Sequence, residues 1–287
     1  MSTDYYNLAI KRESTREYKK KEVSPTILDE LRKTYENTCG LIPDIETEMI
    51  LLDNESIPKM KGIAGYHKFL VEAPHYILLL SSYTKQSLKN AGFIGEKLVL
   101  KLTEAGIDTC WTTIGDEQHL REALYLDTDK EAMALIAFGY GVKNNSSRID
   151  IKSPSDILIK KRTGFVAPKL SIDHAIYEGE WGKEADLSQL SVESELYQAF
   201  IAACCAPSFL NLQPYRLIYD KDKVLLVSLE DKVTDSSDTQ LNLGIVMEHF
   251  AEVMARQSRM LKGWVLEAPD KDYHLPEGAK IEGCYEI

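Results

Sequence analysis

Two long stretches, about residues 91–105 and 241–260, constrain this chain most, because the same order of elements surrounds both. Apolar side chains recur in each at helical spacing: Ile94, Leu98 and Leu102 in one, Leu243, Val246, Phe250 and Val253 in the other. Each carries a glycine near its start, Gly95 and Gly244, and each is followed by a tryptophan, Trp111 and Trp264. A shorter helix and two strand-like runs precede each. In the first half Ser24 is a good N-cap, Pro25 a good first helical residue and Gly40 a natural stop, with Leu28, Leu31 and Tyr35 on one face. Strands Glu48–Leu52 and Tyr76–Ser81 follow, and Ala132–Phe138 comes after the long helix. In the second half Ser191 is placed to cap a helix carrying Leu196, Phe200 and Ala203, followed by strands Arg216–Tyr219 and Val224–Leu229. An ordered repeat of this kind predicts an internal duplication. The fold class expected is α+β: two related α/β halves, 1–165 and 166–287, with antiparallel-rich sheets flanked by helices. Gly164, Pro168, Gly179 and Gly182 make Lys160–Asp186 read as the connector. A short amphipathic helix, carrying Tyr5, Tyr6, Leu8 and Ile10, opens the chain.

Composition narrows the function. A net charge of -11 argues against non-specific binding to nucleic acid. Met1–Lys11 has no apolar run of signal-peptide length, and Tyr76–Leu80 is far too short to span a bilayer, so a cytoplasmic protein without membrane attachment is expected. Five cysteines without a CxxC pair, and six histidines without an HExxH or HxxxH pair, signal neither a disulfide framework nor a metal site.

Three segments carry the chemistry. Arg12-Glu13-Ser14-Thr15-Arg16-Glu17-Tyr18 packs two guanidiniums and a hydroxyl into five residues. Arginine's rigid donor fork suits a phosphate or a heterocycle carbonyl. The bland alternative is a solvated basic turn, since Lys11 and Lys19–Lys21 adjoin it. Ala206-Pro207-Ser208-Phe209-Leu210-Asn211-Leu212-Gln213-Pro214-Tyr215 lies between a helix and a strand. Its amides can read the polar edge of a planar ring, or simply build an Asn/Pro/Ser turn. Gly106–Gly115 follows the first long helix. A fourth segment, Gly139-Tyr140-Gly141, begins a GxGxxG pattern but lacks the third glycine, and Asn144–Ser147 reads as a turn, so a dinucleotide-binding Rossmann unit is not expected.

Taken in order, these segments resemble the nitroreductase family. Arg-x-Ser-x-Arg-x-Tyr resembles its N-terminal signature and Pro-Ser-x-x-Asn-x-Gln-Pro-Tyr its second, with Tyr215 where tryptophan is common. Gly106-Ile107-Asp108-Thr109-Cys110-Trp111-Thr112-Thr113-Ile114-Gly115 is similar to the helix-end segment whose backbone meets the flavin. Two departures matter. Gly40-Leu41-Ile42-Pro43-Asp44 stands where the first half should carry Pro-Ser-x-x-Asn. Glu178-Gly179-Glu180-Trp181 stands where the second half should carry Arg-x-Ser-x-Arg. Family members are homodimers whose FMN sites draw on both protomers, so the chain resembles the single-chain tandem branch, with one complete site kept.

The resemblance implies a nitroreductase-like fold and an FMN between the halves. Arg12, Glu13 (through its backbone), Ser14 and Arg16 would bind it from one half, and Pro207, Ser208 and Asn211 from the other. Thr113, Ile114 and Gly115 would lie near the reactive edge, and Lys152, with Arg148 as second candidate, near the phosphate; Tyr66 would contact the flavin or cap the substrate pocket. The activity implied is ping-pong hydride transfer from NAD(P)H to a small electron acceptor such as a nitroaromatic or quinone, by a monomer or weak homodimer, with no side chain as catalyst. The alternative is a flavin-binding storage or sensor protein without turnover.

Overall fold

The structure is a computed structural model that describes residues 4–142, 146–153, 156–162, 169–255 and 263–287, with backbone only at 146–162. The helices are α1 (Tyr5–Lys11), α2 (Pro25–Glu36), α3 (Ile57–Met60), α4 (Ser87–Glu104), α5 (Glu117–Leu124), α6 (Ile172–Ala175), α7 (Glu195–Cys205) and α8 (Ser236–Met254). The strands are β1 (Thr47–Asp53), β2 (His75–Ser81), β3 (Asp108–Thr112), β4 (Glu131–Gly139), β5 (Ser146–Ser153), β6 (Asp156–Arg162), β7 (Ile176–Glu178), β8 (Tyr215–Asp220), β9 (Lys223–Ser228), β10 (Trp264–Val265) and β11 (Lys280–Glu286). The chain divides into two compact units, Lys11–Ala167 and Met1–Ile10 with Pro168–Ile287, so the opening residues group with the C-terminal part.

In the first unit, Ser24 accepts from Ile27 N and Pro25 takes the first turn, which starts α2 as its sequence predicts. The helix ends at Glu36, earlier than the expected stop at Gly40. Gly40 has another use: a Cβ there would lie 2.5 Å from Asn90 Oδ1 on α4, so only glycine admits that side chain. The sheet order is β1-β2-β4-β3, antiparallel throughout. Strand β2 is buried along its whole length, as its unbroken apolar run requires. Tyr76, Leu78 and Leu80 pack with Met60, Leu70, Leu120 and Leu135 in one core cluster. Helix α4 packs on β2, β3 and β4 and against α2. Strands β5 and β6 form a separate antiparallel pair; Ser146 and Ser147, read above as a turn, begin β5, while Asn144 and Asn145 lie outside the described residues.

The second unit repeats the first. Its sheet runs β10-β11-β9-β8-β7, so β8, β9, β11 and β10 take the order of β1, β2, β4 and β3. Strand β7 is added parallel to β8, inside the stretch read as connector. The cap of α7 is Ser194, which accepts from Tyr197 N, and not Ser191. Helix α8 starts five residues before the expected 241, because Asp235 accepts from Asp238 N and sets the first turn. Its expected end at 256–260 lies outside the described residues. Trp264 and Tyr285 close on Phe250 of α8 at ring separations of 5.5 and 5.1 Å. Of the described helices, none is long and apolar enough to cross a membrane. All five cysteines are free, and no cluster of metal-ligating side chains occurs among the described residues.

One buried histidine makes the first unit acid-sensitive. Val23 N–H donates to His75 Nε2 at 3.2 Å, Glu22 Oε2 lies 2.9 Å from the same nitrogen, and the ring stacks on Phe138. Burial lowers the His75 pKa, and the pull of Glu22 and Asp53 in the other direction is smaller. The neutral ring therefore stabilises the fold fully above the unfolded value of about 6.5, and the contribution is lost as pH falls below it through the lower folded value. The denaturation midpoint is expected to drop as pH falls below about 6.5, and His75→Gln to flatten part of that drop. Equal slopes in both proteins would contradict this account.

Candidate functional site

The Arg12–Tyr18 segment is not a solvated turn. It lies against the first sheet through main-chain hydrogen bonds: Thr15 N donates to Thr109 O at 2.8 Å, Lys19 N to Tyr140 O at 2.8 Å, and Val142 N to Glu17 O at 3.0 Å. Bridges join Ser14 to Thr109 and Tyr18 to Gly141. Gly139 and Gly141 are packing glycines here, since Cβ atoms on them would lie 2.5 Å from Pro74 Cγ and 2.8 Å from Asp108 Oδ2.

Arg12 is only 8% exposed, and its Nε lies 3.8 Å from Glu96 Oε1 on α4. Glu96 is fully buried and accepts from Trp111 Nε1 at 2.8 Å. Trp111 in turn lies over Gly95, where a Cβ would come within 2.6 Å of its ring. Arg12 Nη1 donates to Ser14 Oγ and Arg16 Nη1 to the Ser14 main-chain oxygen, both at a long 3.4 Å. Arg12 Nε is buried with no hydrogen-bond acceptor among the described residues. The segment thus holds two cations and a hydroxyl on a fixed backbone, with one donor spare. Glu13 is exposed. The only sequence signal for Glu96 is an acidic residue within an apolar helix.

Thr113, Ile114 and Gly115 leave the end of β3 and meet the 62–69 loop. Gly65 N donates to Thr113 O at 2.8 Å, Ala64 bridges Ile114, and a Cβ on Gly115 would lie 2.8 Å from Ile63 O. Gly65, at φ +98°, would place a Cβ 2.0 Å from Phe69 O, so this tight loop requires glycine. Tyr66 is half-buried, edge-on to His67. Lys152 lies on β5 with its side chain, like that of Arg148, outside the described residues.

In the second unit, Pro207 is buried and Ser208 and Asn211 are half-buried. The loop is strained: Leu210, Asn211 and Gln213 have φ of +49°, +59° and +49°. Non-glycine residues persist in this region only when their surroundings over-determine them. Both ends of the loop are held. Phe209 N donates to Asn242 Oδ1 on α8 at 3.0 Å. Gln213 N donates to Ser208 Oγ at 3.0 Å. The buried Gln213 amide donates to Cys204 O and Tyr215 Oη and accepts from Leu170 N. Gln213 therefore satisfies the end of α7 and is no reader of a ligand edge. Burial raises the pKa of the Cys110 thiol, against the smaller pull of Arg16 and Arg12, and pushes that of Cys204 up to about 12, which disfavours the thiolate at both.

The structure thus has an α+β unit built twice, with a cationic segment held against the sheet in one copy and a strained Pro-Ser-x-x-Asn loop in the other. Residues 4–177 match the family described as "Putative TM nitroreductase", and the chain belongs to this nitroreductase family. The crystal structure of a putative nitroreductase from Thermotoga maritima, 18% identical, covers 100% of this chain and 94% of its own at a TM-score of 0.56, which shows the fold. A nitroreductase family protein from Clostridium difficile 630 is 20% identical over 53% of this chain and 90% of its own (TM-score 0.42). An FMN-dependent nitroreductase from Clostridium difficile R20291 is 21% identical over 48% of this chain and 87% of its own (TM-score 0.43). No curated protein matches the sequence.

Proposed function

We propose that this protein is an FMN-dependent NAD(P)H oxidoreductase acting on small electron-poor acceptors such as nitroaromatics or quinones. Membership of the nitroreductase family supports a flavin oxidoreductase. The observation that carries the cofactor assignment is the Arg12–Arg16 segment, fixed along the sheet and by buried Glu96, with a spare buried donor on Arg12 Nε. That donor set fits FMN, which offers a phosphate and a ring edge of carbonyls and nitrogens. Bound FMN supplies the redox chemistry, passing a hydride from NAD(P)H to the acceptor.

The side chains bind and orient. Arg12, Ser14 and Arg16 supply charge-assisted hydrogen bonds, with Glu13 contributing backbone. Their positive charge would also offset negative charge on the bound group. Pro207, Ser208 and Asn211 contribute a rigid second set, pre-shaped by the strained loop. Thr113, Ile114 and Gly115 present backbone at the strand end, and Lys152 is assigned to the phosphate. Tyr66 lies on the adjoining loop, where it suits a contact with the flavin or the acceptor. No side chain acts as nucleophile or general acid, in keeping with the raised thiol pKa values. Donor and acceptor using one cleft in turn gives ping-pong kinetics.

The visible spectrum of the purified protein, before and after anaerobic NADH and then NADPH, tests this reading. A flavin spectrum that bleaches is expected. A flavin spectrum that does not bleach would replace turnover with storage or sensing. A colourless protein that takes up no added FMN would end the assignment.

A further inference from the structure

The two long helices share a motif whose register the structure corrects. The helical glycines pair as Gly92 with Gly244, not Gly95 with Gly244, because each follows a buried asparagine that holds a loop. Asn90-x-Gly92-x-x-x-Glu96 in α4 matches Asn242-x-Gly244-x-x-x-Glu248 in α8. Asn90 Oδ1 accepts from Ile42 N at 3.0 Å, and Asn242 Oδ1 accepts from Phe209 N at 3.0 Å. Both side chains are buried, and both leave Nδ2 without a hydrogen-bond acceptor among the described residues. The bond to the loop amide is thus the polar contact that justifies burying each one.

The anchors are alike and the loops differ. Counted from the anchored amide, Leu41 and Asp44 stand where the second unit has Ser208 and Asn211. No residue from 40 to 46 has a positive φ, whereas Leu210, Asn211 and Gln213 all do. One asparagine therefore holds a loop with no positive φ, with Leu41 and Asp44 in place of the Ser208 hydroxyl and the Asn211 amide, and the other holds a strained loop that carries both. Strain of this kind needs both ends fixed, and Asn242 is the fixing point at Phe209.

We propose that Asn242 is a positioning residue for the flavin: it holds Ser208 and Asn211 in binding geometry, while Asn90 makes the same bond for stability alone. This rests on the FMN assignment above. Asn90 then provides a matched internal control, because both alanine variants lose the same bond.

The test is a titration of apoprotein with FMN, read by quenching of flavin fluorescence, with the Tm of each apoprotein measured alongside. Asn242→Ala is expected to raise the FMN Kd by about tenfold, the worth of a single well-placed hydrogen bond. Asn90→Ala is expected to lower the apoprotein Tm comparably while leaving the Kd within about twofold. Asn242→Asp, which keeps an acceptor for Phe209 N–H, is expected to regain most of the affinity and decides the matter if the alanine variant does not fold. Equal Kd changes at the two asparagines, or none at Asn242, would overturn the proposal with the FMN assignment intact. Failure of the unaltered protein to take up FMN would overturn both.

Discussion

Replacing Glu96 with alanine is expected to destabilise the protein by about 3–5 kcal/mol, the range for removing one partner of a buried ion pair. The side chain has no solvent to fall back on: Glu96 is fully buried and the Arg12 side chain is 5% exposed. Without the carboxylate, the guanidinium is left as a buried, uncompensated charge, and Trp111 Nε1–H loses its acceptor. Glu96→Gln keeps an acceptor for Trp111 but not the charge, so it should cost less than alanine and still a substantial part of the total. Arg12→Met combined with Glu96→Leu should recover most of the stability, because replacing both members of such a pair is often neutral. On the functional reading, that double variant stays unable to bind FMN tightly. Urea denaturation followed by tryptophan fluorescence measures the first set, and a loss below about 1 kcal/mol for Glu96→Ala would mean that the pair is solvated and weak.

Phe250→Ala should cost a similar amount, about 3–5 kcal/mol, by a different mechanism. Phe250 has no exposed surface and touches Phe200, Trp264 and Tyr285 at ring separations of 5.9, 5.5 and 5.1 Å. Truncation removes the transfer energy of the ring and leaves a cavity bounded by other rings, which cannot easily collapse. It also loosens the seat of Trp264, whose indole N–H donates to Met247 O at 2.9 Å. Phe250→Leu, which fills most of the space, should cost well under half as much. If alanine and leucine cost the same, the loss is of aromatic contact geometry and not of volume.

Much of the fold was legible because its signals are local. Ser24 and Pro25 announce α2, the unbroken run at Tyr76–Leu80 announces a buried strand, and the helical period marks α4 and α8. Three strands not legible in the sequence, β11, β7 and β3, have physical reasons for it. β11 carries Glu282 and Gly283, and its register shifts between Ile281 and Gly283, which breaks the alternation that marks a strand. There a Cβ would come within 2.7 Å of Met247 Cε, so the glycine is needed for helix packing. β7 spans three residues and has meaning only through its pairing with β8. β3 lies directly after a helix, so its residues read as a continuation of the helix end.

By itself, then, the sequence indicated the repeated plan, the main helices and the longest buried strands. Caps, apolar periods and short motifs act over a few residues, and can be read without knowing what packs on what. The tertiary structure alone decided which of those residues are engaged with the scaffold. Gln213 turned inward because the carbonyls ending α7 needed a donor, and Arg12 was clamped because Glu96 is buried with it. Asn242 and Asn90 became equivalent only once their loops were seen hanging from the same oxygen. The Arg12–Glu96 pair and the two asparagine anchors join residues remote in sequence, and their energy comes from excluding water, which no local pattern of residues encodes.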